Sequence, residues 1–369
     1  MVQCLYPPVA QYQAPPVTLE RTAGPLKVSA LNPRYLMDRN GKSLVLVGSN
    51  YWNLLQDGGR TLPPPRFDYD AFIDFAVSHG YNYLRWHTWE HATHLSEGRR
   101  WYIRPTIYER RGTKAALDGE PQFDLNAFNA EFFDRLRSRV LNARDKGLYV
   151  AVDLFQGFSV ADGNTMSAQW AGHPFNASNN LNGVDGDPTQ QGNGRDTQTL
   201  LIPLITRYQE QYVAHIIETL GDLDNVIWEV AIEPSGSYSR GGFNSFDWVE
   251  HFVKYIQEHE ARKGDTHPIL YSSLYPGGDN RRLFASSAQI VAPNAAGGFF
   301  RDSPVLTGNK VVLVDTDHIE WTETDGADWA WRAFTRGAGG FAIMDGGYSD
   351  YDDQGGGSSY RDAEAFRYN

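Results

Sequence analysis

Residues 226–234 read VIWEVAIEP, an apolar run broken by two glutamates and closed by a proline. A run that is apolar on both alternating faces marks a strand buried on each side, which points to a parallel sheet with helices laid over it. Pro234 has no amide proton to give a strand ladder and so fixes where this strand must exit. Runs of the same character recur at 44–52, 83–89, 148–157, 268–275, 289–294, 311–319 and 340–345. Between most of them lie segments of helical period, at 67–80, 199–221, 245–259 and 327–337. Another follows Asp124, with Leu125, Phe128, Phe132, Leu136 and Val140 on one face. Eight such strands alternating with helices in 369 residues predict an eight-stranded parallel β/α (TIM) barrel. An open doubly wound sheet is the alternative. Against it, Gly48-Ser49-Asn50-Tyr51-Trp52 after the first strand has one glycine, then an aromatic where backbone would have to approach a phosphate, so no nucleotide is expected.

Outward from the barrel, residues 34–48 read as an N-terminal β-hairpin whose Asn40-Gly41 supplies a turn tolerant of positive φ. Residues 1–30, rich in Pro and Gln and without sustained period, read as an irregular arm, and 31–369 as one barrel domain. The net charge of -12 and the absence of a basic block argue against nucleic acid or an anionic membrane as partner. No apolar run reaches the roughly 18–20 residues a spanning helix needs, and residues 1–14 lack the pattern of a signal peptide, so the chain reads as soluble. The one cysteine, Cys4, excludes an internal disulfide framework and leaves the compartment open. Aromatic residues make up 13%, a surplus of the kind that lines carbohydrate grooves, where flat rings meet the apolar faces of sugars.

In such a barrel the reactive groups sit at the carboxyl ends of the strands. Those ends carry Asn50 and Trp52, then Arg85, His87 and Trp89, then Gln156, Glu233, Tyr275, Asn294, Asp315, Asp317, His318 and Asp345. The long linker at 158–198, with Trp170, His173, Phe175 and Asn180, reads as an ordered wall of the site. Glu233, with apolar walls beside it, suits a general acid, because desolvation raises a carboxyl pKa. Glu229, four residues earlier on the same face, reads as a structural partner for Arg85. Asp315 and Asp317 share a face of the seventh strand, and Asp317, nearer the mouth, is the preferred nucleophile. One acid and one attacking carboxylate are what glycoside hydrolysis requires.

The chain resembles the cellulase-like barrel glycosidases of the large retaining clan, and more closely a bacterial group of glycoside hydrolases, of unknown function, related to the apiosidases. The matching stretches include NPRYLMDRNGKSLVLVGSNYWNLLQD (32–57), YLRWHTWE (83–90), GHPFNASNNLNGVDGD (172–187), LDNVIWEVAIEP (223–234) and VVLVDTDHIEW (311–321), and they span nearly the whole chain from about residue 30. The resemblance implies an acid/base glutamate ending strand four and a nucleophile ending strand seven, here Glu233 and the DTDH segment. It further implies a carbohydrate substrate, with Trp52, Trp89 and Tyr275 framing the sugar.

Two positions depart from that pattern. Ile232 stands where the clan has an Asn that binds the sugar hydroxyl next to the anomeric carbon, and an Asp stands where the nucleophile is normally Glu, which keeps Glu320 as a lesser candidate. Retaining glycoside hydrolysis is the leading expectation. A carbohydrate-binding barrel without turnover, motivated by Ile232, is the alternative. His87, His91 and His94 raise a zinc reading, but their order differs from H-E-x-x-H. Asp185, Asp187 and Asp196 read as a Gly-Asp turn network in preference to a calcium loop, and no metal or other cofactor is expected.

Overall fold

A computed structural model of the chain describes residues 20–96, 99–160, 169–235, 238–264, 266–275, 277–293, 305–306, 308–315 and 326–344. Eight strands, β1 (Leu46–Tyr51), β2 (Tyr83–Trp86), β3 (Tyr149–Gln156), β4 (Val226–Ile232), β5 (Ile269–Ser272), β6 (Ile290–Ala292), β7 (Val311–Asp315) and β8 (Gly340–Met344), pair in parallel and close into a barrel in chain order. The helices α1 (Tyr69–Ser78), α2 (Ala130–Asp145), α3 (Pro203–Leu220), α4 (Ser245–Lys263), α5 (Asn280–Ala285) and α6 (Gly326–Thr335) lie between the strands in sequence. None of the described helices is long and apolar enough to cross a membrane.

The predicted strands are all present among the described residues. Their even-odd alternation divides two cores. Leu84, Trp86, Val150, Val152, Trp228 and Val312 point outward into the layer shared with the helices, where they meet Tyr212, Trp248 and Phe252. Tyr83, Ala151, Ile227, Leu270 and Leu313 point inward and fill the barrel. Two residues further along the same strands the inward face turns polar, with Arg85, Asp153, Glu229, Ser272 and Asp315. The lower barrel is therefore an apolar plug and its upper layer carries the chemistry.

The expected hairpin is present as Leu36–Met37 against Ser43–Leu44, joined by a third short strand, Lys27–Val28. Gly41 takes φ +82 in its turn, and the Asp38 carboxylate accepts the amides of Asn40 and Lys42 at 2.9 Å each. This small sheet stoppers the amino end of the barrel. Leu26 and Leu36 join the interior cluster of Leu46, Tyr83 and Tyr149, and the Tyr149 hydroxyl accepts the Ala23 amide at 3.3 Å.

The segment after Asp124 differs from its expectation. Leu125 and Phe128 belong to a strand, Pro121–Phe128, that pairs antiparallel with Tyr108–Ala115, and α2 begins only at Ala130, capped by Asn129, whose side chain accepts the Glu131 amide at 3.1 Å. The hairpin wins because a neighbouring loop completes it: Phe123 donates to the Asn179 carbonyl at 2.8 Å, and Leu125 to the Asn182 side chain at 2.8 Å. Asp118-Gly119, with Gly119 at φ +89, forms the turn. A second insertion after β2 pairs Thr93–Ser96 and Asp57–Gly59 with Arg99–Arg104. Both insertions sit on the carboxyl side of the barrel, beside the mouth.

If the amino-terminal stopper is part of the barrel core, truncating the fully buried Leu36 leaves a cavity against Leu46 and Tyr83. Leu36→Ala is expected to cost about 2–5 kcal/mol, read as a lower urea midpoint at unchanged slope. A wild-type midpoint would show that the small sheet does not contribute to the core.

Candidate active site

The upper layer is organised by one cation. Arg85 on β2 is 1% exposed and forks onto Glu229 of β4, with Nε to Oε2 at 2.9 Å and Nη2 to Oε1 at 2.6 Å. Nη2 also donates to Ser272 Oγ of β5 at 2.8 Å, and Nη1 pairs with the Asp315 carboxylate of β7. The Ser272 hydroxyl donates to Glu229 in turn. Burial opposes the guanidinium charge, but the two carboxylates outweigh it and hold Arg85 even more firmly protonated than usual. Glu229 is thus the partner of Arg85 expected from their shared barrel level.

Beside this cluster lies a row of hydrogen bonds along the rim of β1–β3. Burial, and then the charge of Arg85, push His87 well below its ordinary range, so the ring is neutral. Its Nδ1 accepts from Gln156 Nε2 at 2.8 Å, which leaves the proton on Nε2 to donate to Asn50 Oδ1. The other Gln156 amide hydrogen goes to Asp153 at 2.6 Å. Asp153 is fully buried, and burial followed by the neighbouring Glu229 charge drives its carboxyl well above the carboxylate range. On the outer side of the row the His87 and Trp89 rings stack with centroids 5.1 Å apart, and Trp52 meets Trp89 edge-on at 5.5 Å. The Trp89 indole donates to the Trp52 carbonyl at 3.0 Å, and Phe158 packs against Trp89 at 5.7 Å. This aromatic wall has a polar edge toward Arg85 and Asn50, the composition that suits a sugar ring.

Glu233 follows β4 directly and takes φ +49, one of two non-glycine residues at positive φ among those described, the other being Gln190. Its carbonyl lies so close to Gly157 that a Cβ there would fall 1.6 Å from the oxygen. Tyr275, 38% exposed, donates its backbone amide to the Pro234 carbonyl at 3.1 Å and so stands over the same turn.

Of the residues singled out from sequence, Trp52, Arg85, His87, Trp89, Gln156 and Asp315 are drawn together, with Glu233 and Tyr275 at the adjoining strand end. Asn180 is not among them. It is buried in its own loop, where Nδ2 donates to the carbonyls of Pro174, Asn176 and Val184, and Oδ1 accepts the Val184 amide at 2.9 Å, so both polar ends are consumed by the fold. Asp317, His318 and Asp345, and the lesser candidate Glu320, lie outside the described residues. The acidic loop forms turns: Asp187 accepts the amides of Gln191 and Gly192 at 2.9 and 2.7 Å, and Asp196 accepts from the Tyr238 hydroxyl at 2.7 Å and Arg240 at 3.1 Å. Among the described residues no three His, Cys, Asp or Glu side chains converge as a metal site. His91 instead bonds Ser159 Oγ at 2.8 Å and His94 at 3.2 Å. Sequence reasoning missed Asp153, Ser272 and Gln198. For Asp153 a signal was available, since an acid inside the otherwise apolar YVAVDLF needs a reason to be buried.

No protein-family model matches the sequence, and no curated protein aligns with it detectably. Solved structures do share its barrel. A family 5 glycoside hydrolase from Bacteroides vulgatus superposes with a TM-score of 0.50 at 13% identity, covering 93% of this chain and 67% of that one. Endo-glycoceramidase II from a Rhodococcus species, solved with a ganglioside, gives 0.53 at 15% identity over 91% and 81% of the two chains. A family 5 mannosidase from Rhizomucor miehei gives 0.50 at 11% identity over 87% and 85%. At these identities the likeness is one of fold.

Burial is the first cause that keeps His87, His91 and His94 neutral, His94 down to about 4. An unfolded histidine titrates near pH 6.5, so below that pH the unfolded chain takes up protons that the native state refuses. Stability from these groups is therefore complete above pH 6.5 and is lost as pH falls toward their folded values. Asp153, shifted upward, works in the opposite sense. His91→Gln is expected to flatten the pH dependence of unfolding free energy between pH 6.5 and 4.5 by about one proton, or roughly 1.4 kcal/mol per pH unit. Urea unfolding at stepped pH reads this; an unchanged slope would mean that His91 is charged in the native protein.

Proposed function

We propose that the protein is a retaining glycoside hydrolase acting on an O-glycosidic bond of an oligosaccharide or polysaccharide, with Glu233 as acid/base and Asp317 as nucleophile. The observation that carries this reading is Glu233 itself: a carboxylic acid at the end of β4, in a left-handed backbone conformation, at the same end of the barrel as an aromatic wall and a buried cation that reaches the end of β7. The fold shared with family 5 glycoside hydrolases supports it. Glu233 would protonate the leaving oxygen while Asp317 attacks the anomeric carbon. Glu233, now ionised, would then take a proton from the water that releases the sugar. Asp315 is the weaker candidate for attack, because its carboxylate is already engaged by the Arg85 guanidinium. It suits the role of holding the β7 end against Arg85. Trp52, His87 and Trp89 would receive the sugar, with Tyr275 at the opposite lip.

A second reading, a sugar-binding barrel without turnover, is favoured by Ile232, which is 5% exposed and offers no hydrogen-bonding side chain where the resembled clan has Asn. A panel of aryl glycosides and polysaccharides separates the two. Glu233→Gln is expected to lower kcat roughly 10²- to 10⁴-fold on substrates with poor leaving groups while binding persists. Proton NMR of the first-formed product should show the retained anomer. Turnover that survives in Glu233→Gln would remove this residue from the mechanism, an inverted product would remove the covalent intermediate, and binding with no turnover in the wild type would favour the second reading.

A further inference from the structure

We propose that Asp153 and Gly157, both contributed by the β3 end, are the positioning residues of the Glu233 turn, so that the acid is aimed from the neighbouring strand and not from its own. A non-glycine residue in the left-handed region costs about 1–3 kcal/mol and persists only where the surroundings over-determine it. Here β3 supplies most of the contacts, and the Tyr275 amide on the Pro234 carbonyl adds one from the β5 side. Gln156 and Ile232 form the last register pair of β3 and β4, after which the chain leaves the sheet. At that point the Ile232 amide donates to Asp153 Oδ1 at 2.9 Å, to a side chain of the adjacent strand. The Glu233 carbonyl packs on Gly157, where any side chain would collide with it. Ser235, two residues on, donates its amide and hydroxyl to Gln198 Oε1 at 2.9 and 2.7 Å, and Gln198 Nε2 donates to the Gln156 carbonyl at 3.0 Å. Both flanks of Glu233 are thus anchored to residues 153–157.

Beyond a long contact from the Thr88 amide to Oδ2 at 3.5 Å, the Asp153 carboxyl is engaged by the Ile232 amide and Gln156. It is fully buried, with Glu229 and Arg85 facing it from β4 and β2, His87 reaching it through Gln156, and Tyr212 behind it on α3. A carboxyl next to a second carboxylate in a dry interior is costly, and an apolar residue would pack more cheaply. What an apolar residue could not do is accept the Ile232 amide while engaging Gln156. Removing that acceptor frees the turn to relax away from φ +49 and swings the Glu233 carboxyl from its aim.

The kinetic part of this inference rests on the glycosidase reading, so the test has an arm that does not. Wild type, Asp153→Ala, Asp153→Asn and Gly157→Ala are compared at a temperature where thermal melts show each folded. Asp153→Ala and Gly157→Ala are expected to lose kcat roughly 10- to 100-fold with KM nearly unchanged, and to displace the alkaline limb of the pH profile, which reports the acid's protonation. Asp153→Asn, which keeps an acceptor for the Ile232 amide, is expected to recover most of the rate. Alongside, carboxyl ¹³C NMR follows the Glu233 titration, its signal assigned by its absence from Glu233→Gln. Its midpoint should move in Asp153→Ala and Gly157→Ala and return toward wild type in Asp153→Asn. Lowered melting temperatures with kcat, alkaline limb and midpoint all at wild-type values would overturn the proposal. A moved midpoint in a protein that turns over no glycoside would instead uphold the clamp and refute the reading on which its kinetics depend. Should Asp153→Ala fail to fold, Gly157→Ala decides alone, because it perturbs the same turn without removing a buried polar group.

Discussion

One guanidinium holds the upper barrel together. Arg85 is shared between Glu229 and Asp315 and also touches Ser272, so a single side chain joins β2, β4, β5 and β7 across the interior. A buried ion pair is seldom a net gain in stability over an apolar filling of the same volume, because each charge must first be stripped of water. Removing one member is costly all the same, since the others are left uncompensated. Such a cluster therefore constrains more than it stabilises: with the strands offset by one residue, the fork and its carboxylates would no longer meet. The register that brings Glu229 level with Arg85 also sets the height at which β4 ends, and with it the height of Glu233.

Everything below that layer serves to keep it dry and fixed. The inward residues of the lower barrel are apolar, and the amino-terminal sheet closes the end that would otherwise admit water beneath Tyr83 and Tyr149. Above it, neutral side-chain donors and acceptors take over in sequence, from Asn50 through His87 and Gln156 to Asp153. A chain of satisfied hydrogen bonds at a barrel mouth fixes ring orientations without placing another charge beside Arg85. The aromatic wall of Trp52, Trp89 and Phe158 shields the outer side of that chain.

The barrel was legible because strands buried on both faces announce themselves in sequence, whatever their partners, and the eight runs needed only to be counted. The Arg85–Glu229 pair was legible for a related reason: charges at one level of an apolar interior have few partners to choose from. What escaped notice depended on neighbours distant in sequence. Leu125 and Phe128 carry a pattern compatible with a helix, and only the backbone and side chains of Asn179 and Asn182 make that segment a strand; the Asp118-Gly119 turn was the sign passed over. Asn180 looked like a ligand-binding amide, since sequence cannot reveal that three carbonyls already claim it. Asp153 and Gln198 act on backbone groups of another strand, and backbone groups carry no residue code to pair with.

The loop that contains Asn180 has a consequence for how such a site changes over time. Its turns are held by the amides of Asn176, Asn179 and Asn180 and by Asp187, each bonded to main-chain groups a few residues away or on the adjoining hairpin. Residues 169–198 of this loop are in this sense already folded before any ligand arrives, and little disorder remains there to be lost on binding. A rigid wall of this kind discriminates well between ligands of different shape but adapts poorly. An inserted or deleted residue would break several of these closures at once, whereas an exchanged side chain on the wall's surface would break none. New specificities on this scaffold should therefore arise by point substitution along a loop of constant length.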